Sequence, residues 1–355
     1  MPQPRKPTLG EKLDLLPALA SILFAAFAAL LCAFRRGPSD EPSLLLHVLY
    51  AGTRKLGSRL NSSQLQYVFP DTEEAYSRQA KAHKLAVQTV ELPHGAKGNW
   101  IGDPDADYVL IWYHGGGFTL PATEGHLNFW TKFIRDRKDR KPSLAVFFPA
   151  YTLAPAARYP TQLTQAVEAL RYLVDTARRS PSRIILGGDS AGGNLAAGVL
   201  SHAAHPHEAM EPLTLAEPLA ATVMMAPWTA LNETPVRLAG YPGGDCINPG
   251  ALAAWTRNYM GDAAPDYYTD ASLAPPEWFR GLPTKKILVL AGQNEYLLPS
   301  IRLFVEKLEA GYGPVEFHIA EKEAHIAPFL NLLFYYRTPT GQGKRLQSWL
   351  QETVI

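Results

Sequence analysis

Ser190 lies in Gly188-Asp-Ser-Ala-Gly192. A serine hydroxyl becomes a nucleophile only when a base takes its proton. That base is normally a histidine oriented by a buried carboxylate. The Gly-x-Ser-x-Gly spacing suits a sharp strand-to-helix turn, with flanking glycines leaving room that a Cβ would fill. The helix beginning at Ala191 would present its N-terminus to developing negative charge. An ordinary Gly-rich turn reads the same way, so the pattern alone is weak and the other parts must be found. In a sheet of this kind they follow in the order serine, acid, histidine. Of the histidines after Ser190, His202, His205 and His207 sit too close to the turn and read as surface residues. His318 reads as a sheet-face residue within a strand. His325, after the last apolar run, is the candidate base. Glu295, just past the run Lys286–Leu290, is the candidate acid, with Glu321 and Glu323 as rivals that read as solvated loop charges. His114-Gly-Gly-Gly117 follows a strand and precedes the nucleophile. The N–H groups of Gly115 and Gly116, with that of Ala191, are the candidate oxyanion donors.

Positioning these groups requires strands that end together. Strand-like segments occur at 86–92, where apolar and polar residues alternate, and at 108–113, 144–148, 184–186, 221–225, 286–290 and 315–319. Helical spacing occurs at 161–176 (Leu163, Val167, Leu170, Leu173, Val174), and small apolar residues follow Ala191. Alternating strands and helices predict an α/β fold, a mostly parallel sheet covered on both faces. Chemistry then belongs at the carboxyl ends of the strands. Residues 96–355 are expected to form the catalytic domain. Residues 37–95 read as helical pieces carrying Arg54, Lys55 and Arg59, either plain packing elements or a cap near a membrane surface. Residues 229–280 are long for a connection and suggest a cap insertion. Its rings (Trp255, Tyr259, Tyr267, Tyr268, Trp278) either line a hydrophobic pocket or fill the packing beneath the cap.

The chain has 355 residues, 46% apolar and 19% charged, a globular composition with a sizeable core. A net charge of +1 gives no footprint for a nucleic-acid partner. The two cysteines, Cys32 and Cys246, are not expected to pair. Residues 1–36 are set apart by an uncharged run at 15–34 that ends at Arg35 and Arg36. Twenty helical residues reach about 30 Å, the thickness of a hydrocarbon core. The run predicts a single-pass transmembrane helix, with the endoplasmic reticulum as the expected membrane; a cleaved signal peptide and a buried helix are the alternatives. Basic residues on both sides leave orientation open. Asn61-Ser-Ser63 and Asn232-Glu-Thr234 match the N-glycosylation pattern, which would suit a lumenal domain.

Four segments, Tyr113-His-Gly-Gly-Gly-Phe118, Tyr151-Thr-Leu-Ala-Pro155, Gly188-Asp-Ser-Ala-Gly-Gly-Asn194 and Ala226-Pro-Trp228, together resemble the hormone-sensitive-lipase-like branch of the α/β-hydrolases. The resemblance covers roughly residues 90–335. It implies the α/β-hydrolase fold with a helical cap and carboxylester hydrolysis without metal or cofactor. It places the nucleophile at Ser190, the base at His325 and the oxyanion donors at Gly115, Gly116 and Ala191. The acid motif of that branch, Asp-x-Leu-x-Asp, here reads Glu295-Tyr-Leu-Leu-Pro299, and its His-Gly pair reads His325-Ile326. With the N-terminal run, Asn99-Trp-Ile-Gly-Asp103 looks like membrane-anchored fungal hydrolases, including steryl-acetate deacetylases and hydrolases of polyketide-type metabolite clusters. The expected activity is ester hydrolysis of a hydrophobic, polyketide-like small molecule. One alternative is cyclisation or condensation on the same scaffold with His325 as general base. The other is a non-catalytic membrane-anchored binding protein.

Overall fold

Residues 5–37, 40–231 and 244–353 are described by a computed structural model. The chain enters through α1 (Leu9–Leu13), α2 (Leu15–Leu31), α3 (Leu44–Arg59), α4 (Ser62–Val68) and α5 (Thr72–Ala82). An eight-stranded sheet follows among the described residues: β1 (Thr89–Glu91), β2 (Lys97–Ile101), β3 (Tyr108–Tyr113), β4 (Leu144–Ala150), β5 (Ile184–Asp189), β6 (Ala221–Met225), β7 (Ile287–Gly292) and β8 (Glu316–Ala320). Between and after the strands run α6 (Glu124–Asp136), α7 (Thr161–Arg171), α8 (Ala191–Ala204), α9 (Pro249–Met260), α10 (Leu298–Tyr312), α11 (Ala327–Leu333) and α12 (Gly341–Thr353). The spatial order is β1-β2-β4-β3-β5-β6-β7-β8. The strands from β4 to β8 are parallel; β1 pairs antiparallel with β2, and β2 with β4. β2 carries Asn99-Trp-Ile and went unrecognised as a strand in the sequence. Its hairpin with β1 straddles residue 96, so the sheet starts earlier than the domain boundary expected there.

Residue alternation sends each strand's side chains into two cores. Val109, Ile111 and Tyr113 face one, with Leu163, Leu195, Val199 and Phe304 from the helices that cover it. Tyr108, Leu110 and Trp112 face the other, with Leu127, Trp130, Leu346 and Leu350. Burial on both faces explains why β3 to β7 read as unbroken apolar runs rather than alternating ones.

β3 sits between β4 and β5, so the chain reverses direction across the sheet beside it. Ligand sites in open α/β sheets lie at such a reversal, outside the carboxyl ends of the strands. Tyr113 is opposite Gly188 and Asp189 opposite Met225, which brings the loop after β3 against the turn after β5. The approach is close. A Cβ on Gly192 would lie 1.9 Å from the Tyr113 carbonyl oxygen, and one on Gly188 2.3 Å from the Gly192 oxygen. Both clashes are with backbone, which cannot swing aside. Gly192→Ala is therefore expected to destabilise the protein by about 3 kcal/mol or more, read as a lower urea midpoint than that of the wild type.

Candidate active site

Ser190 occupies the tip between β5 and α8 with φ 54° and ψ −117°. A non-glycine residue at positive φ is strained, and such strain persists only where neighbours over-determine it. Here the Ser190 N–H donates to the Met225 carbonyl at 2.9 Å, and its own carbonyl accepts from Asn194 and Trp228 N–H at 3.0 Å each. The side chain of Asn194 also donates to the Trp228 carbonyl at 2.8 Å. The motifs at 188–194 and 226–228 thus form one clamp around the serine. Its hydroxyl hydrogen-bonds to no described residue, His325 included; such contacts often tighten only when substrate is bound.

Glu295 follows β7 and His325 follows β8. Glu295 Oε1 lies 3.0 Å from His325 Nδ1, and Oε2 accepts the Gly292 N–H at 2.8 Å. Glu295 is fully buried and His325 4% exposed. A carboxylate at Nδ1 holds the proton there and leaves Nε2 as the acceptor a serine needs. Burial works against a charge on His325, but the Glu295 hydrogen bond and charge outweigh it, helped by Asp245 and Asp189, and the net shift is upward. Burial pushes the Glu295 carboxyl up as well, opposed by His325 and the Gly292 N–H. Glu323, one of the rival acids, is committed instead to the N–H groups of Gly341 and Gln342. Pro299, where the family motif has its second acid, occupies the first turn of α10, where a missing N–H costs nothing. Ile326 takes the left-handed conformation that glycine would adopt freely, at φ 44°.

Asp245 is fully buried and was not singled out by sequence. Its carboxylate accepts the N–H of His325 at 2.9 Å, of Tyr296 at 2.7 Å and of Cys246 at 2.7 Å. It therefore ties the loop carrying Glu295 to the loop carrying His325. The Arg54 guanidinium donates to the Asp245 carbonyl oxygen and anchors α3 to the same point. In Asp245→Asn one acceptor oxygen becomes a donor facing an N–H, an expected cost of about 1–3 kcal/mol. Loss of the charge also lowers the His325 pKa, so the acid limb of kcat/KM should move to lower pH. A pH–rate profile checks this.

The glycine loop corrects one expectation. The Gly115 N–H donates to Asp189 Oδ2 at 3.0 Å, so it is not free for an oxyanion. Gly116 and Gly117 keep N–H groups without an acceptor among the described residues. Ala191 opens α8, where N–H groups have no helical partner. Asp189 also accepts from Trp112 Nε1 at 2.8 Å and His126 Nε2 at 3.0 Å. His126 Nδ1 in turn accepts the Thr123 N–H at 3.2 Å, which fixes the tautomer that donates to Asp189. One buried carboxylate thus fastens the glycine loop to the turn, to β3 and to α6. His114 is buried and stacked on Tyr151 at 4.4 Å, and burial pushes its pKa down to about 4. The Tyr151 hydroxyl donates to the His114 carbonyl at 2.8 Å, joining the two remaining motifs.

The cap rings divide into two groups. Trp255 packs on Gly117, whose Cβ it would exclude, and Tyr259 stacks on Phe118 at 3.7 Å. These two border the glycine loop. Tyr267 and Tyr268 pack around Trp278, which donates to Ser201 and stacks on His205 at the far end of α8. They serve packing remote from Ser190. His202, expected at the surface, is buried, with Nε2 3.0 Å from the Glu211 carbonyl. Asn61 caps α4 through its side-chain oxygen, and its Nδ2 donates to Glu11 at 3.0 Å. Asn232 lies outside the described residues.

The family model described as alpha/beta hydrolase fold matches residues 110–328. Esterase LipI of Mycobacterium tuberculosis is 26% identical over 90% of this chain and 91% of its own. Steryl acetyl hydrolase 1 of Saccharomyces cerevisiae is 28% identical over 36% of this chain, an alignment spanning only 28% of that protein. Several curated relatives are matched over about a third of their length or less. Among solved structures, an esterase from the bacterial hormone-sensitive lipase family superposes with a TM-score of 0.65 at 23% identity, covering 90% of this chain and 99% of that one. A strained serine between β5 and α8, a buried Glu–His pair after β7 and β8, and a matching family model over more than half the length agree: the chain belongs to the α/β-hydrolase fold family, with the motif set of its hormone-sensitive-lipase-like branch.

Proposed function

We propose that this chain is a serine hydrolase that cleaves carboxylic esters of a hydrophobic small molecule, without metal or cofactor. The buried Glu295–His325 hydrogen bond carries the reading, because it supplies a base of defined tautomer at the sheet edge that holds Ser190. In the proposed reaction His325 Nε2 takes the Ser190 proton as Oγ attacks the ester carbonyl. The oxyanion is held by N–H groups of Gly116, Gly117 and Ala191. His325 then gives the proton to the departing alcohol, leaving an acyl-serine. Water, deprotonated by the same histidine, releases the acid and restores the hydroxyl. The rings of Trp255 and Tyr259 beside the glycine loop support an apolar substrate. The motif resemblance supports a tailoring role in fungal polyketide-type metabolism. The apolar N-terminal helix, Leu9–Leu31, supports attachment to a membrane, with the endoplasmic reticulum as the proposed site.

A fluorophosphonate probe followed by peptide mapping, with a series of p-nitrophenyl esters, tests the proposal. Label on the Ser190 peptide with turnover of at least one ester is the expected result. No label on folded protein would sink it. Label without hydrolysis of any chain length would favour the cyclisation chemistry instead.

A further inference from the structure

Helix α2 has two unlike faces. Its inner face lies along α3. Leu15 and Ala18 pack with Leu56, Leu60, Leu65 and Trp255, and Ile22 and Ala26 lie beside Gly52. Asp14, at its start, accepts from Arg59 at 2.8 Å and Gln64 at 3.0 Å. At its other end Arg36 reaches the carbonyls of Glu41 and Pro42, just ahead of α3. Contact therefore runs the length of the helix. The outer face bears Leu16, Leu23, Phe24, Phe27 and Leu31, continued by Phe34 in the turn that follows, each between 55 and 78% exposed. These residues form an apolar strip about 30 Å long, a continuous exposure that soluble monomers avoid. Basic residues rim it, with Arg5, Lys6 and Lys12 before it and Arg35 and Arg36 after it.

We infer that α2 lies in the plane of a bilayer surface rather than crossing it, with its outer face in the acyl boundary and its basic ends among anionic phospholipid headgroups. This rests on the membrane attachment proposed above. A crossing helix would carry α3 into hydrocarbon beside it, together with Arg54, Lys55, Arg59 and the Asp14–Arg59 pair, at a large cost. In-plane seating keeps α3 and the catalytic domain in water. It buries the apolar strip and matches basic ends to anionic lipid. It also places the substrate side near the lipid, because Trp255 touches both the α2 packing cluster and Gly117 of the oxyanion loop. An apolar ester then passes from acyl chains to Ser190 along one ring.

The test uses the full chain with phosphatidylcholine vesicles, with and without phosphatidylserine. A polarity-sensitive fluorophore is placed singly at residues 16, 23, 27 and 31 in a Cys32→Ser background, and its depth is read with quenchers fixed at known positions along the acyl chain. Equal shallow depth at all four sites is expected, with cysteines introduced singly at residues 5 and 36 in the same background both open to an impermeant thiol reagent from the protein side. Arg35→Gln with Arg36→Gln should reduce partitioning into the anionic vesicles on the order of tenfold. Leu16→Gln, Leu23→Gln and Phe27→Gln together should abolish partitioning yet leave turnover of a soluble short-chain ester intact. Depth greatest near residue 23, with the two ends on opposite sides, would overturn in-plane seating while upholding attachment. Absence of partitioning, or a dimer sealed by this face, would overturn attachment itself.

Discussion

Ser190→Ala is expected to lower kcat/KM toward any accepted ester by about 10⁶-fold, to the level left by binding and the oxyanion hole. The Glu295–His325 pair would remain hydrogen-bonded but would have no oxygen to activate. The substitution leaves the backbone clamp in place, because the bonds holding the turn come from the main chain of residue 190. Fold and thermal midpoint should therefore stay close to wild type. Ser190→Gly separates chemistry from strain. It removes the same nucleophile but also the Cβ held at φ 54°. A gain in stability of about 1 kcal/mol is expected, alongside the same loss of activity. Chemical denaturation of both variants, with ester kinetics, checks the pair. Ser190→Ala retaining more than a small fraction of wild-type turnover would show that the reaction runs elsewhere.

The second large effect is at Glu295. In Glu295→Gln the amide can present its N–H₂ to His325 Nδ1, which favours the tautomer with the proton on Nε2. That tautomer cannot accept from serine, and a loss of about 10⁴-fold in kcat is expected. The pH dependence carries a separate sign. His325 works as a base only when neutral. Its pKa is raised above the ordinary 6.5 because the carboxylate beside it outweighs burial. Wild-type kcat/KM should therefore fall as pH drops through a limb lying above that value. Removing the carboxylate charge leaves burial opposed only by the lesser pull of Asp245 and Asp189, so the residual activity of Glu295→Gln should show its limb at lower pH. A residual limb at or above the wild-type position would mean that another group sets it.

Most of the strands were legible because each central one is buried on both faces and so reads as a plain apolar run. β2 was not, since Lys97-Gly-Asn-Trp-Ile is a sheet-margin strand with a glycine and polar residues; Gly98 is required there because a Cβ would strike the Phe147 ring. Ser190, Glu295 and His325 could be proposed from sequence because triad chemistry restricts residue type and the fold restricts their order. Asp189 and Asp245 could not. The carboxylate of Asp245 is met by backbone N–H groups, which have no letter in the sequence, and that of Asp189 by one such N–H and two side chains, all three on segments far from it along the chain. The same reason explains the misplaced oxyanion donor. The glycine run marks a loop, but which N–H in it is free depends on Asp189 arriving from β5.

The sequence by itself determined the candidate parts of the proposed reaction: Ser190, Glu295, His325 and a glycine loop, in an order that a parallel α/β sheet places at a common edge. It also determined an apolar N-terminal helix of membrane-crossing length. Tertiary structure decided what one-dimensional spacing cannot express. It committed the Gly115 N–H to a carboxylate, and it split the cap rings between the site and remote packing. It tied the loops of Glu295 and His325 through Asp245, and it laid α2 along α3 instead of leaving it free. In each case the deciding quantity is a distance between groups remote in the chain, set by how buried donors find acceptors and how apolar faces find cover.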